Sequence, residues 1–234
     1  MTLKIMTYNI LHCEVYKQGR IDFDAFAAVI LQSGADIIGL NEVRGNGVRE
    51  DYAAQAQILA EKTGFYSYFA KAIDVDGNNP YGNAILSRYP IKNAETIPIP
   101  DPILRIGDRF ESRCLLKAMV DVGTDVTVLV THFGLNKSEQ KNAVQTVLSN
   151  LMPKKTILMG DFNVYPDNPV LLPIREKMTD TADKFNAPKN SFPSDAPNCK
   201  IDYIFVSPDL PVLEADIPEI LASDHRPHTA VVEI

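Results

Sequence analysis

Short apolar runs rich in β-branched residues recur along the chain at Leu3–Tyr8, Ile37–Leu40, Phe65–Ala70, Ala84–Leu86, Cys114–Val122, Val126–Val130, Thr156–Met159, Ile201–Val206 and Thr229–Ile234. Their length and residue types predict strands. Three other segments repeat apolar residues at helical spacing. The stretch IDFDAFAAVILQSG sets Phe23, Phe26, Ala27, Ile30 and Leu31 on one face and stops at Gly34, and REDYAAQAQILAEKTG repeats the pattern and stops at Gly64. In NKSEQKNAVQTVLSNLMP, Val144, Val147, Leu148 and Leu151 point inward and Pro153 terminates. Strands alternating with helices predict an α/β fold around a largely buried sheet. Pro98–Pro102 and Asn186–Asn198 read as long irregular loops, which in compact domains often carry function.

Composition narrows this reading. A chain of 234 residues, 45% apolar and 23% charged, matches a folded globular protein of one domain spanning residues 1–234. No apolar stretch approaches the roughly 18 residues of a membrane helix, and the N-terminus lacks a basic start followed by a long apolar stretch, so a cytoplasmic monomer is expected. Cys13, Cys114 and Cys199 are far apart and lack a C-x-x-C pairing, which argues against a disulfide framework or structural zinc. A net charge of -7, no long basic run and no Trp disfavour a protein that grips nucleic acid through many phosphates. A phosphate substrate would then need a local attraction, and a bound cation is the natural source.

The chemistry collects where strands end. Leu3–Tyr8 runs into Asn9, Ile37–Leu40 into Asn41 and Glu42, Val126–Val130 into Thr131 and His132, and Thr156–Met159 into GDFN, while Asp202 opens the strand near Ile201. The final strand is preceded by SDH. Asn, Asp, Glu and His are poor strand formers, and ligands in α/β sheets gather at strand ends. Hard oxygen donors combined with imidazoles suit a cation such as magnesium and transfer of a phosphoryl group to water.

The motifs MTYNI, IIGLNEV, YGNAILSRYPI, ESRCLLKAMV, VTHFG, MGDFNVYP, KIDYIFVS and SDHRPH, in this order, resemble the endonuclease/exonuclease/phosphatase superfamily. The resemblance implies a four-layered α/β sandwich, two mixed sheets packed face to face with helices outside. It also implies a Mg2+-dependent phosphoesterase, with Mn2+ as a substitute, hydrolysing a small or exposed phosphodiester by water attack. The alternatives are a DNA repair nuclease and a non-catalytic binding module on the same fold. By the same resemblance Glu42 is the metal-binding glutamate with Asn9 beside it, and Asp224 is a second metal-proximal acid. Asp161 and Asn163 orient the nucleophile and contact phosphate, His132 approaches the scissile phosphate or leaving oxygen, and Asp202 orients His225. Whether His225 or Asp161 is the general base, and whether one metal or two bind, stays open. Asn41 stands where many relatives have Gln.

His12, Asn83, Arg113 and Phe192 are further substrate-site candidates. His12 has an alternative reading as a surface-loop histidine, Asn83 as the end of a turn, Arg113 as a partner of Glu111, and Phe192 as a loop anchor. Arg226 and His228 remain undecided at this stage.

Overall fold

In β1 (Thr2–Asn9), Leu3 and Ile5 belong to one buried cluster and Met6 and Tyr8 to another. Alternate side chains leave opposite faces of a strand, so a strand buried on both faces lies in the middle of a layered structure. The computed structural model describes residues 1–105 and 109–234 and shows that layering.

The chain continues through the small hairpin β2 (Glu14–Val15) and β3 (Arg20–Ile21), α1 (Phe23–Ser33), β4 (Ile37–Arg44) and α2 (Gln55–Thr63). Next come β5 (Tyr66–Val75), β6 (Asn79–Ser87), β7 (Ile91–Pro98), β8 (Cys114–Asp121), β9 (Asp125–His132), α3 (Lys137–Asn150) and β10 (Thr156–Asp161). The short α4 (Leu172–Arg175) precedes β11 (Thr179–Asp180), β12 (Asp202–Val206), β13 (Val212–Asp216) and β14 (His228–Glu233). One sheet has the order β13-β14-β1-β4-β6-β5 and the other β11-β12-β10-β9-β8-β7. Each is mixed, with one parallel pair near its middle: β1 beside β4, and β9 beside β10.

Three apolar clusters fill the gaps between layers. Leu3, Ile5, Val128, Val130, Ile157 and Met159 lie in the cluster shared by the two sheets. Phe26, Ile30 and Leu59 pack from α1 and α2 onto Met6, Tyr8 and Ile38, and Val144, Val147 and Ile174 pack from α3 and α4 onto Leu129, Leu158 and Phe205. This is the four-layered sandwich. Contact between sheets is close at Gly39, where an added Cβ would lie 2.7 Å from the Met159 side chain.

Several elements differ from the sequence expectation. The second helix begins at Gln55, not near Arg49. The Tyr52 ring lies under the Arg44 and Arg49 guanidinium groups at 4.8 and 5.4 Å, and Asp51 pairs with both, which holds residues 49–54 in a loop. Leu31 is 47% exposed, so the inward stripe of α1 narrows to Phe26, Ala27 and Ile30. Strands β7, β11 and β13 lie at sheet edges and were not anticipated. Edge strands carry charges and prolines that blunt unwanted pairing, and this hides them from an apolar pattern. Among the described residues no helix is long and apolar enough to cross a membrane, and Cys13, Cys114 and Cys199 are free and buried.

Lys200 is a buried charge with a measurable consequence. Its Nζ lies 3.4 Å from the centre of the Tyr203 ring and has no hydrogen-bond partner among the described residues. Burial pulls its pKa down to about 8, partly countered by Asp180 and Asp202. The unfolded chain holds this proton up to the ordinary lysine value of 10.5, so stability rises as pH climbs from about 8 towards 10. Lys200→Met is expected to stabilise the protein at pH 7 by about 1–3 kcal/mol and to flatten that rise. Urea unfolding of the two proteins at pH 7, 8 and 9.5 tests this; an unchanged pH slope in the variant would sink it.

Candidate active site

The two parallel pairs deliver their C-terminal ends to one place. Asn9 pairs with Asn41 in one sheet, and Asp161 pairs with His132 on one side and Asp202 on the other in the second sheet. Register slips between Leu40 and Val43, and Glu42 takes a φ of 58°, a conformation that side chains rarely adopt without enforcement. In MGDFN, Gly160 has φ 148°, and a Cβ there would stand 1.8 Å from the Thr131 carbonyl oxygen. Only glycine lets the strand pass that carbonyl and present Asp161.

Asn41 ties the sheets together. Its Oδ1 accepts from the Asp161 backbone N–H (2.8 Å), and its Nδ2 donates to the Thr131 carbonyl (2.9 Å) and to Asn83 Oδ1 (2.9 Å). Asn83 in turn donates to the Cys114 carbonyl at 3.0 Å. Both asparagines are buried supports. The signal for Asn41 was its polarity directly after the buried apolar run Ile37–Leu40, where an amide demands partners.

The polar centre is a chain of short contacts. Asn9 Nδ2 lies 3.1 Å from Glu42 Oε1 and 3.2 Å from Asp161 Oδ2, while Asn9 Oδ1 accepts from the Leu11 N–H. Asp161 Oδ2 is 3.5 Å from His132 Nε2 and 3.7 Å from His225 Nε2, and His225 Nδ1 is 2.8 Å from Asp202 Oδ2. Arg113 has only donors and points at His132 Nδ1 (3.3 Å), so that nitrogen accepts and the ring proton sits on Nε2, facing Asp161.

The charges follow from these contacts. Burial opposes a charge on His225, but the Asp202 and Asp161 carboxylates outweigh it and raise its pKa, so the ring is an imidazolium at neutral pH. Burial raises Asp161, with His225 pulling the other way. His132 is held well below the usual histidine range by burial, Arg113 and His225. Burial pulls His12 down to about 4, with Arg44 adding to it.

Asp161, Asp202 and His225 bring candidate ligand atoms within 4.8 Å of one another. The Asp202 oxygen facing His225 is engaged at 2.8 Å, however, and a cation there would compete with the imidazolium. The better fit is on the other flank, where the Glu42 and Asp161 carboxylates converge on one amide and Glu42 opens to the cavity. The two carboxylates are hard oxygen donors of the kind a divalent ion takes, and Asn9, with its NH2 toward both and its Oδ1 on the Leu11 N–H, holds them together.

The cavity has a volume of about 560 Å³, and Glu42, Asp161, His132, His225, Asn163 and Asp224 all line it. Asn163 has φ 51°; its N–H donates to Asp161 Oδ1 (2.9 Å) and its side chain to the Phe133 carbonyl (3.0 Å). The Asp224 carboxylate accepts from the Ser223 hydroxyl at 3.1 Å. Phe192 also lines the cavity, its ring centre 4.8 Å from that of His225. Arg113 reaches the cavity and also pairs with Glu111 at 2.6 Å. His12 lines it, but Asn83 stays behind the wall.

The two undecided residues resolve. Arg226 Nε donates to the Ser194 carbonyl (2.7 Å) and pins the 191–194 loop beside His225. His228 is fully buried, between Thr181 Oγ1 (3.1 Å) and the Asp202 carbonyl (3.3 Å). Tyr81, Arg109 and Leu135 are cavity residues that the sequence reading did not single out. Burial and the adjacent Glu42 keep the Tyr81 hydroxyl protonated, but in YGNAILS it reads merely as a strand former.

Comparisons with known proteins agree with this architecture. The endonuclease/exonuclease/phosphatase from Beutenbergia cavernae DSM 12333 superposes with a TM-score of 0.85 at 24% identity, covering 100% of this chain and 72% of its own. A mannosyl-6-phosphatase from Bacteroides thetaiotaomicron VPI-5482 gives 0.78 at 19% identity, covering 99% and 100%. The human Nocturnin catalytic domain with bound sulfate gives 0.70 at 19%, covering 99% and 94%. At such identities these likenesses speak for the fold. No curated protein matches the sequence. The family described as Endonuclease/Exonuclease/phosphatase matches residues 6–225, nearly the whole chain. The chain therefore belongs to the endonuclease/exonuclease/phosphatase family, whose members are hydrolases acting on phosphoester bonds.

Proposed function

We propose that residues 1–234 form one catalytic unit, a divalent-metal-dependent phosphoesterase that hydrolyses a small or exposed phosphoester by attack of water. The observation that supports it is the continuous polar chain Asp202–His225–Asp161–Asn9–Glu42 along one cavity. Glu42 is the residue that would hold the divalent cation, Mg2+ or Mn2+, with Asn9 and Asp161 adjoining and Asp224 on the same cavity wall. When bound, the cation neutralises charge developing on phosphoryl oxygens.

The protein's own groups supply the rest. Asp161, ionised but raised by burial, orients the attacking water and takes up its proton. Asn163 fixes the Asp161 carboxylate through its backbone N–H. His225, held as an imidazolium by Asp202, faces the developing negative charge, and neutral His132 directs its Nε2–H to a phosphoryl or leaving oxygen. Arg113 fixes the His132 tautomer, and Phe192 closes the cavity beside His225.

A cavity of about 560 Å³ suits a small ligand, and the net charge of -7 favours a substrate other than long nucleic acid. The mannosyl-6-phosphatase relative points the same way. The test is a panel of bis-p-nitrophenyl phosphate, sugar and inositol phosphates, sphingomyelin and abasic-site DNA, assayed with Mg2+ and with EDTA. Hydrolysis of a small ester that EDTA abolishes is the expected result. Preference for abasic DNA with a steep salt dependence would replace this reading with a repair nuclease, and no turnover with any divalent ion would leave a binding module.

A further inference from the structure

Leu11, His12 and Cys13 are three consecutive non-glycine residues in left-handed backbone conformations, with φ of 44°, 44° and 62°. Such conformations cost energy and persist where surroundings enforce them, most often at functional sites. Here the Cys13 N–H donates to the Ile10 carbonyl (2.8 Å), the Leu11 N–H to Asn9 Oδ1 (3.2 Å), and Gln55 Nε2 to the His12 carbonyl (2.7 Å). Gln55 is itself fully buried, so the turn is held from beneath.

The turn aims an imidazole at Glu42. His12 Nδ1 is buried, has no hydrogen-bond partner among the described residues, and lies 3.9 Å from Glu42 Oε2. His12 Nε2 faces Glu14 Oε2 at 3.7 Å. A buried ring nitrogen without a partner is uncommon and calls for an explanation. Two donors each about 2.1 Å from a shared ion stand between roughly 3 and 4.2 Å apart, and the observed separation falls inside that range. A carboxylate next to the far ring nitrogen is the usual companion of a metal-bound histidine, because it sets the tautomer that leaves the near nitrogen bare. The nearby Arg44 cation is paired with Asp51 at 2.9 Å.

We infer that His12 is a nitrogen ligand of the cation held by Glu42, so the site prefers a first-row transition-metal ion such as Mn2+ over Mg2+. This rests on the metal-dependent reading proposed above. Carboxylates alone suit Mg2+ well, whereas an imidazole donor adds little for that ion and more for transition metals.

The test uses the full chain freed of metal, titrated with Mn2+ and with Mg2+ in competition, the Mn2+ followed by electron paramagnetic resonance. The wild type is expected to bind Mn2+ at least about tenfold more tightly than Mg2+ and to show 14N spin-echo modulation from an imidazole. His12→Ala should weaken Mn2+ at least about tenfold and Mg2+ less than about threefold. His12→Asn, whose side chain tolerates left-handed backbone, keeps the turn and should also lose the 14N modulation. Unchanged modulation in both variants, or equal weakening of both ions, overturns the role of His12. Glu42→Gln separates the two readings: if it weakens Mn2+ while the His12 variants match wild type, only this inference fails. If Glu42→Gln leaves Mn2+ binding intact, the metal site itself is misplaced and the inference falls with it.

Discussion

Asp161→Asn is expected to lower kcat/KM for a hydrolysable phosphoester by about 10³-fold without unfolding the protein. The substitution keeps the side-chain shape, and the backbone N–H that Asn41 holds is untouched. It removes the group at the middle of the centre: Asn9, His132 and His225 all lie within 3.7 Å of Asp161 Oδ2. An amide neither accepts a proton from water nor sustains the charge on His225. Steady-state kinetics with saturating divalent ion, alongside circular dichroism, give the readout, and a loss smaller than about tenfold would remove Asp161 from the reaction.

Asp202→Asn is expected to act through His225, lowering kcat by about 10²-fold near pH 8. In the native protein burial pushes His225 towards neutrality and Asp202 is the largest opposing influence, through both its charge and its hydrogen bond. With the amide in place the balance reverses, and the folded-state pKa of His225 falls. The imidazolium is then lost at mildly alkaline pH and returns as pH drops, so the deficit of the variant should shrink towards acid. A pH–kcat profile that keeps the wild-type shape would show that His225 is not needed in its charged form.

Much of the frame was visible beforehand because interior strands must be apolar on both faces, as in Leu3–Tyr8 and Val126–Val130. The edge strands β7 and β13 escaped because an edge needs burial on one face only, and charges such as Lys92 and Glu95 interrupt the signal. The site was legible for a related reason. Asn9, Glu42, His132, Asp161 and Asp202 stand out because nothing but function or a dedicated partner justifies them beside buried strands. Partners that work through geometry were harder to read. Asn41 looked like a departure from a family pattern, and only the fold shows it bridging two sheets. His228, close to His225 in sequence, opens β14 and is buried against Thr181 and the Asp202 carbonyl, whereas His225 lies before that strand and lines the cavity. His12 gave no hint of its aim, since a run of left-handed residues without glycine has no compositional mark.

The two sheets contribute different halves of the centre: Asn9 and Glu42 hang from one, His132, Asp161 and Asp202 from the other. The interval between those halves is the thickness of the apolar filling beneath, and at Gly39 against Met159 that filling has no slack. Leu3, Ile5 and Met159 therefore act as spacers for the chemistry although they never meet a substrate. A methyl group gained or lost there is expected to shift one half of the proposed catalytic set against the other, so the buried interior is the calibration of the candidate site.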